Sequence, residues 1–238
     1  MARDAAMLDL ADRTGAALLR LYRWQPFCLS FGRHEPAARR YGQERIAKLG
    51  IECVRRPTGG RAVWHARELT YAVAAPLDAF GGLREAYRQI HATLAAALER
   101  LGALPLLAPP SSLLPPHAGA CFAAPVGGEV LLHGRKAVGS AQVRQNNAFL
   151  QHGSLLLEDD QSVVSELGGS RAGPGSEITL TEALGRPVKF DEAAMAVRAE
   201  WVEWMGDEPA FETASVPLEG LTEHHTERFR DPSWTWAR

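Results

Sequence analysis

The chain reads as an α+β domain with a mixed, mainly antiparallel sheet flanked by helices, and three features predict this. Residues 83–101 place Leu83, Ala86, Tyr87, Ile90, Leu94, Ala97, Leu98 and Leu101 at spacings of three and four, the clearest amphipathic helix in the chain. Strand-like runs gather mid-chain: 62–65 and 69–75, rich in Val, Trp, Thr and Tyr, and then 129–133, 135–143 and 148–157. Helical segments lie before and after them, so strands and helices are segregated rather than alternating. With 238 residues and 46% apolar composition, one sizeable core needs no covalent staple. The whole chain, 1–238, is therefore taken as one domain, with 168–238 as its helical C-terminal part.

In chain order, 3–20 reads as a helix with Ala6, Leu10 and Ala17 on its apolar side. Short strands follow at 20–22 and 28–31, around Trp24-Gln25-Pro26. Residues 35–49 are helical in character and end at Gly50, a helix C-terminal signal. A strand at 51–55 precedes a strand pair at 62–65 and 69–75. Gly102 stops the amphipathic helix, and the Pro/Ser-rich stretch 105–120 reads as a long loop, either functional or a plain connector. Turns at His133-Gly134 and Gln145-Asn146-Asn147 separate the later strands. After a Gly/Ser-rich linker at 168–176, helices are expected at 179–184, at 191–205 (burying Met195, Val202 and Met205 or Trp201), and at 218–230.

A net charge of −2 excludes a global basic field for nucleic acid. Arg39, Arg40, Arg45, Lys48, Arg55 and Arg56 still make the N-terminal third locally basic, which is either a solvated helix face or a dock for an acidic carrier protein. No apolar run reaches the roughly 20 residues of a membrane span, and the N-terminus lacks a signal-peptide core. Cys28, Cys53 and Cys121 are odd in number and widely spaced, against both a disulfide framework and a CxxC metal site. A reducing, cytoplasmic compartment fits.

Few residues here can do chemistry. Cys121 is either a nucleophile or a small buried apolar residue; a thiol reacts as thiolate and needs a positive neighbour. Lys136 lies 15 residues on. It can lower the thiol pKa and, after proton exchange, act as base. Only Lys48, Lys136 and Lys189 among 26 basic residues are lysine, the kind of cation that titrates when desolvated; Lys48 and Lys189 read as surface residues. Cys28 and Cys53 sit in apolar strand-like runs and read as core. The segment Arg56-Pro57-Thr58-Gly59-Gly60-Arg61 suits close backbone approach to a ligand or an ordinary hairpin turn. It has neither P-loop nor dinucleotide spacing. His65 and His152 are acid–base groups, ligands or structural; no spacing supports a metal. His224-His225 reads as a solvated helix face.

Three blocks, CLSFGRHEP at 28–36, RRPTGGRAVWHARELTYAV at 55–73 and GRKAVGSAQVRQNNAFLQHGSLLLE at 134–158, together resemble the biotin/lipoate A/B protein ligase family. The resemblance implies a lipoate/biotin protein ligase-like catalytic domain. Gly59-Gly60-Arg61 stands where ATP-dependent lipoate ligases carry three glycines, and Cys121 precedes Lys136. Both features resemble the cysteine-dependent octanoyltransferases of the LipM type. By that resemblance Cys121 is the nucleophile and Lys136 its activator. Arg56, Thr58, Gly59, Gly60, Arg61, His65, Gly139, Ser140, Ala141, His152 and Gly153 bind substrate. Backbone N–H groups beside Gly59-Gly60 are a candidate oxyanion site. The family's acidic residue after the histidine is here Ala66. Its Ser-aromatic pair after the proline is here Val126-Gly127. Its strand before the first helix is not found, so the sheet is expected to lack an edge strand or the start to be late.

The implied reaction moves octanoate from octanoyl-acyl carrier protein, through a Cys121 thioester, to a lysine of a lipoyl domain (the glycine cleavage H protein or a 2-oxoacid dehydrogenase E2). No cofactor, metal, membrane or nucleic acid is expected, and a monomer is. The competing readings are an ATP- and Mg-dependent lipoate or octanoate ligase, an amidotransferase between lipoyl domains, and a non-catalytic acyl-carrier-binding module.

Overall fold

The computed structural model describes residues 1–109, 127–169, 176–206 and 216–237. The first helix, α1 (Ala2–Thr14), ends earlier than its pattern predicts. Gly15 takes the left-handed conformation (φ 74°) and its N–H caps the Ala11 carbonyl. The rest of the expected 3–20 helix is strand β1 (Leu18–Tyr22), followed by β2 (Cys28–Phe31). The expected helix 35–49 is two short ones, α2 (Ala37–Arg40) and α3 (Gln43–Lys48). They part where Tyr41 takes extended backbone to stack on Phe31 at 5.2 Å.

Strands β3 (Glu52–Arg55), β4 (Val63–His65) and β5 (Glu68–Pro76) follow. The last two were expected to pair and do not. A tight turn, in which the Glu68 N–H meets the Ala66 carbonyl, sends the chain from one sheet into another. Helix α4 (Leu83–Arg100) matches its periodicity, with Gly102 beyond it at φ 93°. The expected loop at 105–120 opens as strand β6 (Pro105–Leu107), and the remainder of that loop from 110 on lies outside the described residues.

Beyond it come β7 (Val130–Leu132), β8 (Arg135–Lys136), β9 (Val138–Gln145) and β10 (Ala148–Leu156). Both expected turns are present, with positive φ at His133, Gly134 and Asn146. The expected single strand 135–143 is broken at Ala137, where the chain passes between sheets. Helix α5 (Ser162–Leu167) arises where no element was expected. Then come α6 (Leu180–Leu184), N-capped by the Thr179 hydroxyl, α7 (Phe190–Met205), α8 (Val216–Arg230) and α9 (Pro232–Thr235). Helix α7 buries Ala193, Ala196, Val197 and Trp201. Met195 and Met205, expected inside, are 65% and 45% exposed, because the helix settles on its Trp201 face.

The main sheet is antiparallel in the order β1-β5-β10-β9. One face packs Leu69, Tyr71, Val73 and Phe149 against Ile90, Leu94 and Leu98 of α4 and Trp201 of α7. The other packs Ala72, Ala74, Ala148 and Leu150 against Met7, Leu8 and Ala11 of α1, where small residues let the helix sit close. A second sheet, β3-β2-β4, joins β2 and β3 in parallel, and a third is β6-β7-β8. Register places Tyr22, Thr70, Ser154 and Gly139 in one row across the main sheet, with Arg20, Ala72, His152 and Ala141 in the next row on that face.

The fully buried Arg55 ties three regions together. Its guanidinium donates to the carbonyls of Gly32, Arg33 and Glu35 and to those of Trp234, Thr235 and Ala237. Arg56 is buried too, so the basic N-terminal patch reduces to the exposed Arg39, Arg40, Arg45 and Lys48. His225 is not a solvated residue: its Nε2 lies 2.8 Å from Asp9 Oδ2 and docks α8 on α1. Among the described residues no helix is long and apolar enough to cross a membrane.

Candidate functional site

A narrow cleft lies between the main sheet and the β2–β4 sheet. Its floor is formed by Gly139, Ser140 and Ala141 of β9, His152, Gly153 and Ser154 of β10, Thr70 of β5 and Tyr22 of β1. Arg56, Val63 and His65 close it from the opposite side. Gly153 is required here. A Cβ on it would lie 2.5 Å from the Ser140 hydroxyl and 2.7 Å from the Tyr71 ring.

The glycine segment 56–61 leans on the end of β2. The Arg33 N–H donates to the Thr58 carbonyl, and the Arg56 N–H to that of Phe31, each at 2.8 Å. The Arg56 guanidinium reaches back to the carbonyls of Gly59 and Arg61 and to Ser30. Gly60, at φ 88°, makes the turn. A Cβ on Gly32 would lie 1.9 Å from the Gly60 carbonyl oxygen. Gly32→Ala is therefore expected to displace the loop and cut turnover at least tenfold while the protein stays folded, as checked by paired activity and thermal-unfolding measurements.

Three imidazoles are locked by buried partners. The His152 Nδ1–H donates to Asp4 Oδ2 (3.1 Å), and Nε2 accepts from the Thr58 hydroxyl (2.6 Å). Asp4 is fully buried on α1; Arg20 and Tyr22 also donate to it, at 2.7 and 2.9 Å. Burial works against its ionisation, but the His152 hydrogen bond and nearby positive charge, including Arg20, outweigh it and hold the carboxyl well below its ordinary range. Burial lowers the pKa of His152 despite Asp4. The His65 Nδ1–H donates to Glu68 Oε1 (2.7 Å) while Nε2 accepts from Ser30 (2.6 Å), and Trp24 stacks on the ring at 4.5 Å.

The third is His91 of α4. Its Nδ1–H donates to the Gly128 carbonyl (2.7 Å), so Nε2 accepts from Ser140 (2.8 Å), which in turn accepts from Tyr71. Burial pushes His91 down to about 4, against the Gly128 hydrogen bond and with Lys136 adding to the fall. Below the ordinary value of about 6.5 the unfolded chain binds a proton that the folded chain refuses. Stability is thus expected to decline as pH falls from about 6.5 towards 4, by up to ~1.4 kcal/mol per pH unit from this group. Urea midpoints across that range should fall less steeply in His91→Gln.

Lys136 is buried and its ammonium lies 2.6 Å from Glu129 Oε1, both side chains 2% exposed. Tyr87 donates to the same carboxylate oxygen. The two strands flanking the His133-Gly134 turn bring Glu129 and Lys136 together. Backbone bonds from Ala108 to Glu129 and from Gly128 to Ala108, both 2.8 Å, place the two ends of the Cys121-bearing segment beside this pair. Cys121 itself lies outside the described residues. Cys28 is buried and Cys53 half-buried; burial raises both thiols, that of Cys53 to about 12, as suits core residues.

Of the residues singled out in the sequence, Arg56, His65, Gly139, Ser140, Ala141, His152 and Gly153 meet in one cleft. Thr58 joins through His152, while Gly59, Gly60 and Arg61 form the backbone turn that Arg56 holds. Lys136 stands three residues before Gly139 and is not among the residues that line the cleft; His91 bridges Gly128, the neighbour of Glu129, to Ser140. Sequence reasoning missed Asp4, Ser30, Glu68, His91 and Glu129. Ser30 and Glu68 lie within the blocks already singled out; Asp4 looks like an acid in a first helical turn, and His91 like one residue of an amphipathic helix. Among the described residues no cluster of His, Cys, Asp and Glu forms a metal site.

Residues 1–201 match the family model described as the lipoyl protein ligase A/B catalytic domain. Curated relatives include octanoyltransferase LipM of Kyrpidia tusciae, 42% identical over 87% of this chain and 82% of its own length. The Exiguobacterium sibiricum octanoyltransferase LipM is 34% identical over 100% and 94%, and that of Bacillus subtilis 33% over 83% and 78%. Among solved structures, lipoate-protein ligase A bound with ATP superposes with a TM-score of 0.81 at 20% identity, covering 99% of this chain and 92% of its own. A putative lipoate protein ligase of T. acidophilum, Ta0514, gives 0.77 at 21%, covering 99% and 94%. At these identities the structural likeness speaks for the fold.

Proposed function

Because the chain belongs to the lipoyl protein ligase A/B catalytic-domain family, we propose that it is an octanoyltransferase of lipoate biosynthesis, working through a cysteine thioester. The observation that carries this reading is the near full-length likeness, at 32–42% identity, to curated octanoyltransferases.

In the first step the Lys136 ammonium passes a proton to the Glu129 carboxylate beside it, and the resulting neutral amine takes the Cys121 proton. The thiolate adds to the carbonyl carbon of octanoyl-acyl carrier protein, and the C–S bond to the carrier breaks. The carrier thiol leaves with that proton. In the second step the neutral amine of a lipoyl-domain lysine attacks the acyl-enzyme. A C–N bond forms, the C–S bond breaks, and the amine's proton returns to the Cys121 sulfur. Thioester to thioester is nearly isoenergetic and thioester to amide is downhill, so the reading requires no ATP. The Glu129 carboxylate holds Lys136 in place. Gly139, Ala141 and Gly153 among the cleft's lining residues carry little or no side chain, as suits an alkyl ligand. The glycine loop, held by Arg56, supplies backbone N–H groups for the oxyanion. The acceptors are lipoyl domains of the glycine cleavage H protein or of 2-oxoacid dehydrogenase E2, the exposed Arg39, Arg40, Arg45 and Lys48 receive the acidic carrier, and the protein works as a cytoplasmic monomer.

Intact-mass spectrometry after incubation with octanoyl-acyl carrier protein and no ATP tests this, beside Cys121→Ala. An octanoyl adduct on the wild type alone is expected. An adduct on neither, with acyl-adenylate formed once ATP and free acid are added, would replace the transferase by a ligase.

A further inference from the structure

Between α4 and the main sheet runs a chain of polar side chains, Gln142, Gln151, Tyr71, Ser140 and His91. It begins and ends on a backbone carbonyl, that of Leu83 at the start of α4 and that of Gly128 beside Glu129. Its direction is fixed from both ends. A carbonyl only accepts, so the amide nitrogen of Gln142 is the atom that faces Leu83 (2.9 Å), and its second N–H donates to Gln151 Oε1 (2.9 Å). Gln151 Nε2 therefore donates to the Tyr71 hydroxyl (2.9 Å). Tyr71 in turn donates to Ser140 (2.6 Å), and Ser140 to His91 Nε2 (2.8 Å). From the other end, the Gly128 carbonyl requires hydrogen on His91 Nδ1 (2.7 Å). Both ends demand the same neutral tautomer. An imidazolium would turn Nε2 into a donor and take away the acceptor of the Ser140 hydroxyl.

Gly128 precedes Glu129, whose carboxylate lies 2.6 Å from the Lys136 ammonium. One turn before His91 on α4, Tyr87 donates to that carboxylate at 3.4 Å, and the two rings lie 4.1 Å apart. Helix α4 thus grips two consecutive residues, the main chain of Gly128 through His91 and the side chain of Glu129 through Tyr87. A polar chain under a helix is costly unless every member is satisfied. Among the described residues none of its buried side-chain atoms lacks a partner.

We propose that His91, with Tyr87 beside it, is a positioning residue for acyl transfer: through the Gly128 carbonyl it holds Glu129 within proton-transfer distance of Lys136. A displacement of about 1 Å in such a pair costs roughly a hundredfold in rate. The role rests on the octanoyltransferase reading, in which Glu129 takes the Lys136 proton; the direction of the chain does not.

Nitrogen NMR of the folded protein, labelled at histidine, reads the tautomer. His91 is expected to carry hydrogen on Nδ1 and none on Nε2 at neutral pH. Hydrogen on Nε2, or on both nitrogens, would overturn the assignment. Steady-state octanoyl transfer reads the role. His91→Leu should lower kcat roughly thirtyfold, with KM for octanoyl-acyl carrier protein within about threefold of wild type. His91→Asn, whose amide keeps the donor to Gly128 and drops Ser140, should bring kcat back to within about fivefold of wild type. A residue that only stabilised the fold would lose activity in step with stability in both variants. Tyr87→Phe keeps the ring and removes the hydroxyl; it should lower kcat about fivefold and supplies the comparison if the leucine variant does not fold. Unchanged kcat in the folded variant, or a loss confined to KM, would overturn the positioning role. If the wild type transfers nothing, the transferase reading fails. The tautomer then still tests the chain, and the same kcat comparison in acyl-adenylate formation from free acid and ATP decides the role.

Discussion

Lys136→Met is expected to abolish octanoyl transfer, with a loss of roughly 10³-fold or more in turnover. Methionine matches the stem in length but cannot accept the thiol proton. The substitution also acts on stability. Lys136 and Glu129 are both 2% exposed and 2.6 Å apart. Taking the ammonium away leaves the carboxylate in the interior without its lysine, which costs about 3 kcal/mol or more, although the intact pair itself adds little over an apolar one. Urea unfolding should show that loss. The double variant Glu129→Leu with Lys136→Met should recover most of the stability and none of the activity. Recovered transfer in the double variant would mean that the lysine is structural only.

Arg55→Met is expected to be the most destabilising substitution, costing about 4 kcal/mol or more in urea unfolding at neutral pH. Six carbonyls accept from this one guanidinium, three from the 32–35 turn and three from the C-terminal segment. Methionine fills the space but donates nothing, so the carbonyls of Arg33, Thr235 and Ala237 lose the Arg55 bond outright, while those of Gly32, Glu35 and Trp234 keep only a backbone N–H. Arg55→Lys should rescue little, because a compact ammonium with three protons cannot reach acceptors spread around a planar fork. The 32–35 turn carries the glycine loop through the Arg33 bond to Thr58, so octanoyl transfer should fall as well. A stability close to wild type would show that Trp236 on Phe31 and the Trp234 indole bond to the Arg55 carbonyl suffice to dock the C-terminal segment.

Local sequence determined much of this protein. The spacing along 83–101 marks α4, and Gly50 and Gly102 end their helices because a positive φ costs glycine nothing. The turns at 133–134 and 145–147 are readable because Gly134 and Asn146 are residue types that tolerate a positive φ. The strand-like runs and their segregation from helices determined the α+β class. The three blocks of ordered residues determined the family, and with it most of the cleft, since glycines and alanines facing a ligand leave a recognisable mark on a strand.

Only the tertiary structure decided which strands pair. Residues 62–65 and 69–75 look like a hairpin, but the turn after Ala66 puts them in separate sheets, because each buries its apolar face against a different helix layer. It also broke the pattern at Tyr41, where packing on Phe31 outweighs helix continuity. Most of all, it decided the partners of the buried charges. Asp4 meets His152 across 148 positions of sequence, Arg55 meets Ala237 across 182, and Ser30 meets His65 across 35. Such pairs carry no periodicity and no motif. A buried charge needs a counter-charge or a hydrogen-bond partner, but which distant segment supplies it depends on how the sheets close around the cleft.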